Sequence, residues 1–281
     1  MGELEAYIEI IRPVNSFMLG LAILVGAFLT GGLAILSNPF DLVLAFLTGF
    51  SLTGAAMAVN DYYDRDIDAV NEPDRPIPSG RLKPGEAVLL SALLSVLGLA
   101  ASWLISMLVL GIAFFSWLIM VIYSAWGKRT GFPGNLMVST CIGLPFVYGG
   151  ALTGSIWGGL YFSLLAFLSN TGREITKGIV DVEGDSAAGI RTVAVRRGPR
   201  IASALASIFY VGAALSSVLP IYFDLVSMWY VPFVLVTDVG LLYISVRLLK
   251  EPSRENSRKI KNQVLLLMLL GLIGFAAGSL I

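Results

Sequence analysis

The sequence predicts an all-α, polytopic membrane protein of nine transmembrane helices, and three observations support this expectation. Of its 281 residues, 56% are hydrophobic and only 14% are charged, against roughly 25% charged in an average soluble domain. Apolar segments of about 20 residues, long enough to cross roughly 30 Å of hydrocarbon as a helix, recur from one end to the other. Basic residues occur in every second connection between these segments and in no other.

The candidate spans are 14–36, 40–64, 86–109, 111–127, 134–153, 157–180, 199–221, 228–249 and 262–281. Glu3, Glu5 and Glu9 precede Arg12, a poor match to the basic start of a cleaved signal peptide, so the first span is expected to be retained, with residues 3–12 at the interface. The connections after even-numbered spans carry Arg75, Arg81 and Lys83; Lys128 and Arg129; Arg191, Arg196, Arg197 and Arg200; and Lys250, Arg254, Arg258, Lys259 and Lys261. Those after odd-numbered spans contain no Lys or Arg. Because short cytoplasmic loops retain Lys and Arg, the pattern predicts a cell-membrane protein with a cytoplasmic N-terminus and an outside C-terminus.

Residues 1–281 are expected to form one intramembrane domain, with two four-helix halves, about 14–130 and 134–250, and a ninth helix at 262–281. The halves echo each other, since Asn60, Asp64 and Asp68 close span 2 while Asp181 and Asp185 close span 6. Polar sites of membrane proteins commonly lie between such repeats.

Several functions are excluded. A single cysteine, Cys141, rules out an internal disulfide, and the absence of histidine removes imidazole zinc sites, haem-His ligation and Ser-His chemistry. Zero net charge argues against a nucleic-acid partner. Chemistry must therefore use carboxylates, Lys, Arg, Tyr and amides.

At about 100° per residue, Asn60, Asp61, Asp64 and Asp68 fall near 0°, 100°, 40° and 80°, on one helix face, while Asp66 points away. The same arithmetic places Glu174, Lys177, Asp181 and Asp185 within about 80° of one another. Carboxylates this close raise one another's pKa unless cations intervene. Hard oxygen ligands at this spacing suit Mg²⁺, which usually joins protein carboxylates to a substrate's phosphates. Arg75, Arg81, Lys128, Arg129, Arg173 and Lys177 add the charges that a diphosphate needs beside Mg²⁺. A diphosphate at the membrane surface with its remainder in an apolar bundle describes a polyprenyl diphosphate. The faces of Tyr123, Tyr148 or Phe146 could stabilise the allylic cation left as diphosphate departs, with Tyr123 assigned to the site. Asp238, inside span 8, is either a hydrogen-bonded structural acid or a site contributor.

These motifs resemble the UbiA superfamily of intramembrane prenyltransferases. The resemblance lies in Asn60, Asp64 and Asp68 of NDYYDRDID, Asp181 and Asp185 of DVEGD, and YSAWGKR at residues 123–129. It implies an all-helical bundle around a central cavity and Mg²⁺-dependent prenyl transfer. Metal ligands carried over would be Asn60, Asp64, Asp68, Asp181 and Asp185, with Asp61 as a direct or indirect partner. Arg75, Lys128 and Lys177 would hold the diphosphate, Arg81 and Arg129 would assist, and Arg12 and Asn15 would read an acceptor's phosphate. Gly178 departs from the family pattern, in which that position is often acidic.

The loop DAVNEPDRPIPSGRL, together with IIRPVN and REITKGIVDVEGD, looks most like the archaeal ether-lipid branch. That likeness implies transfer of geranylgeranyl from its diphosphate to the 2-hydroxyl of geranylgeranylglyceryl phosphate. The partners are then a polyprenyl diphosphate, a lipid-phosphate acceptor and the bilayer, with no obligate protein partner evident. The alternatives are an aromatic prenyltransferase and, more remotely, a secondary transporter, whose coupling acids should lie near the bilayer midplane rather than beside arginines at one surface.

Overall fold

In the computed structural model, which describes residues 3–279, nine long helices form the bundle: α1 Pro13–Gly31, α2 Pro39–Asn71, α3 Pro84–Ile105, α4 Met107–Ala125, α5 Phe132–Leu152, α6 Ile156–Val180, α7 Pro199–Ser216, α8 Val231–Lys250 and α9 Arg254–Gly278. Shorter helical pieces connect them, including Glu3–Ile10 before α1 and Val182–Ala187 after α6. No strand occurs among the described residues. The last two residues of the ninth predicted span lie outside them.

Local sequence explains most boundaries. Six of the nine helices, α1, α2, α3, α5, α7 and α8, carry proline at the first or second position, where its missing N–H costs nothing and its fixed φ suits a helix. Ser106 separates α3 from α4, its Oγ accepting from Val109 N. Ser253 caps α9 by accepting from Asn256 N, so that helix starts well before the predicted 262. A serine cap satisfies N–H groups that would otherwise be orphaned, and the charged first turns of α9 lie outside the apolar window from which the span was read.

Eight of the nine helices are long and apolar enough to cross a membrane. The exception is α6, which is lined with buried polar residues, among them Asn170, Thr171 and Thr176. Asn170 and Thr176 are satisfied by neighbouring helices, Asn170 Nδ2 donating to Ser139 Oγ of α5 at 3.1 Å and Thr176 pairing with Tyr210 OH of α7 at 2.8 Å, while Thr171 Oγ1 donates to Phe167 O of α6 itself at 2.7 Å. Trp157, Leu160 and Leu164 near its start are exposed, but its C-terminal part is mostly buried, and a helix packed on protein need not match lipid along its whole circumference.

Close approach of α1, α5 and α6 depends on glycine. A Cβ at Gly149 would lie 2.2 Å from the backbone nitrogen of Ala27, and one at Gly159 2.4 Å from Phe146 O. Small residues at helix crossings let backbones meet in this way within membranes.

At 33 residues, α2 extends about 50 Å, beyond the roughly 30 Å of hydrocarbon. It therefore continues past the predicted end at 64 and carries the whole first acidic motif on one unbroken helix. Helix Glu3–Ile10 packs against the loop that follows α2: Ala6 and Ile10 form an apolar cluster with Ala58, Ile77, Leu82 and Ala87. Arg81 fastens the same contact from outside, with Nη1 donating to Glu9 Oε2 at 2.7 Å.

The second motif is not one continuous helix. Helix α6 ends at Val180, Asp181 follows as its C-cap, and Asp185 lies on the separate helix Val182–Ala187. The single-face arithmetic for Glu174 to Asp185 thus holds only to the end of α6. Beyond it, the charged and glycine-containing DVEGDS run has little apolar surface to keep the helix packed in line.

Candidate active site

A cavity of about 900 Å³ runs through the bundle. Its charged end is built by the C-terminal turns of α2, the loop after it, the Gly127–Thr130 turn and the C-terminal part of α6. Asn60, Asp64 and Asp68 project into it from successive turns of α2 and are joined by Arg75, Lys128 and Lys177. Arg12, Asn15 and Tyr123 also line it. Deeper in, the lining becomes apolar, with Met120, Val138, Ile142, Leu165 and Leu241.

The acids of α2 are buried, Asp61 at 3%, Asp64 at 5% and Asp68 at 6% exposure, and burial is tolerable because each meets a cation. Lys128 Nζ donates to Asp64 Oδ2, which also accepts from Asn60 Nδ2 at 2.9 Å. Arg75 Nη1 donates to Asp68 Oδ2 at 2.6 Å and lies 3.6 Å from Asp61 Oδ1. Burial works against the charge of Arg75, but its hydrogen bond to Asp68 and the charges of Asp68 and Asp61 hold the guanidinium above its ordinary pKa. Arg12 Nη2 donates to Asp61 Oδ1 at 2.8 Å. Arg12 itself has left-handed backbone, φ 46°, a conformation that costs a non-glycine residue about 1–2 kcal/mol and is held here by its partner.

Asp61 does not line the cavity. It lies at the edge of the predicted arc, where α2 faces the start of α1, and positions two guanidinium groups. Arg81 is likewise turned to Glu9 and to the carbonyl of Asp74. Arg173 pairs with Glu174 at 2.9 Å and does not line the cavity. Arg129 lines a second pocket, of about 400 Å³, which shares Asp64, Ser124 and Lys128 with the first and includes Ala188, Gly189 and Ile190. This smaller pocket joins the first motif to the segment that follows the second.

Asp181 and Asp185 line neither pocket. The Asp185 carboxyl is pushed up by burial and by the neighbouring Asp181, against the opposing pull of Lys177. Among the described residues no three acidic, Cys or His side chains converge closely enough to hold a metal ion by themselves. The donor set nevertheless suits Mg²⁺, which commonly takes one or two carboxylates and completes its shell with water and substrate phosphate. Asp64 and Asp68 offer such oxygens to the cavity, and the mutually repelling Asp181 and Asp185 are a pair that added positive charge would stabilise.

Glu174 is the cavity-lining acid that sequence reasoning left unassigned, although the i, i+3 spacing to Lys177 placed it on the same face. Its Oε2 lies 3.8 Å from Lys177 Nζ, and it sits one turn deeper than that lysine. Asp238 also reaches the cavity, at the opposite end.

Residues 19–278 match the model of the UbiA prenyltransferase family. The digeranylgeranylglyceryl phosphate synthase of Methanothermobacter thermautotrophicus is 35% identical over 277 residues, covering 98% of this chain and 96% of that protein. The synthase of the same description from Methanopyrus kandleri is 35% identical over 278 residues, covering 99% and 100%. A solved structure described as giving insight into digeranylgeranylglyceryl phosphate synthase in membranes superposes with a TM-score of 0.91 at 29% identity, covering 100% of this chain and 99% of that one. A UbiA homologue from Archaeoglobus fulgidus, bound to GPP and Mg²⁺, shares the fold with a TM-score of 0.65 at 18% identity, covering 96% and 99%. With a family match over nearly the whole bundle and relatives of this identity end to end, the chain belongs to the UbiA prenyltransferase family.

Proposed function

We propose that this integral membrane protein is a Mg²⁺-dependent prenyltransferase that moves geranylgeranyl from its diphosphate to the 2-hydroxyl of geranylgeranylglyceryl phosphate, a step of archaeal ether-lipid synthesis. The observation that carries the reading is one cavity with a cation-lined acidic mouth and a long apolar interior, which fits a diphosphate head and an isoprenoid tail. The relatives named as digeranylgeranylglyceryl phosphate synthases favour the ether-lipid acceptor over an aromatic one.

Asn60, Asp64, Asp68, Asp181 and Asp185 would hold Mg²⁺, which supplies positive charge against the departing diphosphate. Arg75, Lys128 and Lys177 grip the diphosphate oxygens, so that when the C1–O bond breaks its electron pair leaves with a group already neutralised. Arg129, in the adjoining pocket, supports the same charge. Arg81 acts indirectly, by holding the loop of Arg75 against Glu9. Asp61 acts through Arg12 and Arg75 rather than as a ligand. Tyr123 and Phe146 line the cavity beyond the charged mouth, where an aromatic face stabilises an allylic cation and excludes water. Arg12 and Asn15 receive the acceptor's phosphate.

As the acceptor oxygen bonds to C1, its proton needs a base. Glu174 is the carboxylate in this half of the cavity that belongs to neither DxxxD motif, and it is assigned that role. The halves α1–α4 and α5–α8 each contribute one acidic motif, with α9 completing a single domain. The basic connections support a cytoplasmic site and N-terminus.

Purified protein given radiolabelled geranylgeranyl diphosphate, with the glycerol-phosphate ether and aromatic acids offered in parallel, tests the reading. Label should enter the ether lipid, stop on chelation and resume with Mg²⁺. Transfer to an aromatic acid alone would overturn the acceptor assignment. In the same assay Glu174→Gln should lower ether formation about 10²-fold while donor binding persists; unchanged ether formation would remove Glu174 from the mechanism.

A further inference from the structure

The reaction leaves one cavity acid without a task. Asp238 lies two turns into α8 from Val231, and Ser217, whose Oγ donates to Asp238 Oδ2 at 2.7 Å, follows the last residue of α7. Ser217 is at the end of α7 away from the basic connections, and Asp238, bonded to it, lies in the half of α8 nearer that end, so both lie away from Asp64 and Lys128 in the cavity. Tyr230 OH donates to Ser217 O at 2.9 Å. Its ring stacks on Phe275 at 4.9 Å, and Phe275 meets Phe162 edge-on at 4.5 Å. These residues form a floor, aromatic on one side and polar on the other.

The depth of that floor follows from α6, where Glu174 and Phe162 both line the cavity. Twelve residues of α-helix separate them, a distance of about 18 Å. Asp238 is the only acid among the described lining residues in the far part of this space. Its second carboxyl oxygen has no hydrogen-bond partner among the described residues, whereas a carboxyl group can accept several hydrogen bonds. An ionisable side chain at such depth is costly and is expected to have a function.

We infer that Asp238, held by Ser217, is a specificity-determining residue that limits the length of prenyl chain accepted by the cavity. This rests on the reading of the cavity as the prenyl-diphosphate site. A tail that ends before the floor leaves the carboxyl group hydrated or hydrogen-bonded. A tail one isoprene unit longer must press methyl groups against it and strip those partners, and burying an unpaired polar group is unfavourable. The limit is thus one of polarity rather than of space.

That distinction provides the test. Leucine is larger than aspartate, so a limit of space would make Asp238→Leu favour shorter donors, whereas a limit of polarity makes it favour longer ones. Detergent-purified protein would be assayed with farnesyl, geranylgeranyl and geranylfarnesyl diphosphates in competition. Asp238→Leu is expected to raise the kcat/KM ratio of geranylfarnesyl to geranylgeranyl donor about 10-fold, and Asp238→Asn, which keeps a polar floor, to leave it within about 2-fold. An unmoved ratio in Asp238→Leu, or a shift toward farnesyl, overturns the inference. Should that variant not fold, Asp238→Val, apolar and no smaller than aspartate, must raise the same ratio, and no change in it is equally fatal. Wild-type protein that transfers none of the three donors would instead overturn the prenyl-site reading itself.

Discussion

Replacing Asp64 with asparagine is expected to lower kcat for prenyl transfer about 10³-fold, the scale of removing one preorganised charge-stabilising group from an active site. The side chain is 7% exposed, faces the cavity and accepts from both Asn60 and Lys128. Asparagine preserves its size and one carbonyl oxygen but removes the charge that would hold a divalent ion. Lys128 then loses its partner, yet it is 38% exposed and remains hydrated, so the stability cost should not exceed about 1 kcal/mol. The expected signature is a folded protein with a nearly unchanged Tm and almost no Mg²⁺-dependent turnover. Normal turnover in Asp64→Asn would sink the proposed role of the α2 acids.

Arg75→Met should have the larger effect on stability. Arg75 bonds Asp68 and lies within ion-pair distance of Asp61, and both carboxylates are almost fully buried. Removing one partner of a buried pair costs about 3–5 kcal/mol and of an exposed pair 0–1 kcal/mol. With the guanidinium about one-third exposed, a loss of about 2 kcal/mol is expected, read as a fall in Tm in detergent. If uncompensated negative charge is the cause, adding Asp61→Asn should recover part of that loss. Donor KM should rise as well, since the same guanidinium is assigned to the diphosphate. A Tm equal to wild type in the single variant would show that Arg75 does not neutralise these acids.

The motifs were legible in the sequence because their geometry is local. Asn60, Asp64 and Asp68 repeat at one-turn spacing, and any helix through them puts them on one face, which is where the cavity lies. Charge and order along the chain marked Arg75 and Lys128 as cations for a diphosphate, but their pairing with Asp68 and Asp64 comes from the fold. Asp61 could not be separated from its neighbours in this way. It lies at the edge of the same arc, and only the approach of the α1 start, bringing Arg12, directs it away from the cavity. Arg81 has the composition of a phosphate ligand, but a long-range contact with Glu9 engages it.

Two further residues illustrate where periodicity stops being informative. Glu174 and Arg173 are adjacent and of opposite charge; the rotation of α6 between its neighbours sends one to the cavity and leaves the other out of it. Asp238 had no motif around it, and its meaning depends on Ser217, Tyr230 and Phe275, which converge only when α7, α8 and α9 pack together.

The sequence by itself determined the number of long helices, the alternation of basic connections, the two acidic motifs and the family. Hydrophobicity over 20 residues, charge in short loops and one-turn spacing are all properties of contiguous chain. Tertiary structure alone decided that the C-terminal part of α6 is buried, that α2 runs unbroken past the hydrocarbon, which acids reach the cavity and what closes its far end. Those outcomes depend on the rotation and depth of each helix relative to its neighbours, set by contacts such as the glycine crossings of α1, α5 and α6, which no window along the chain contains.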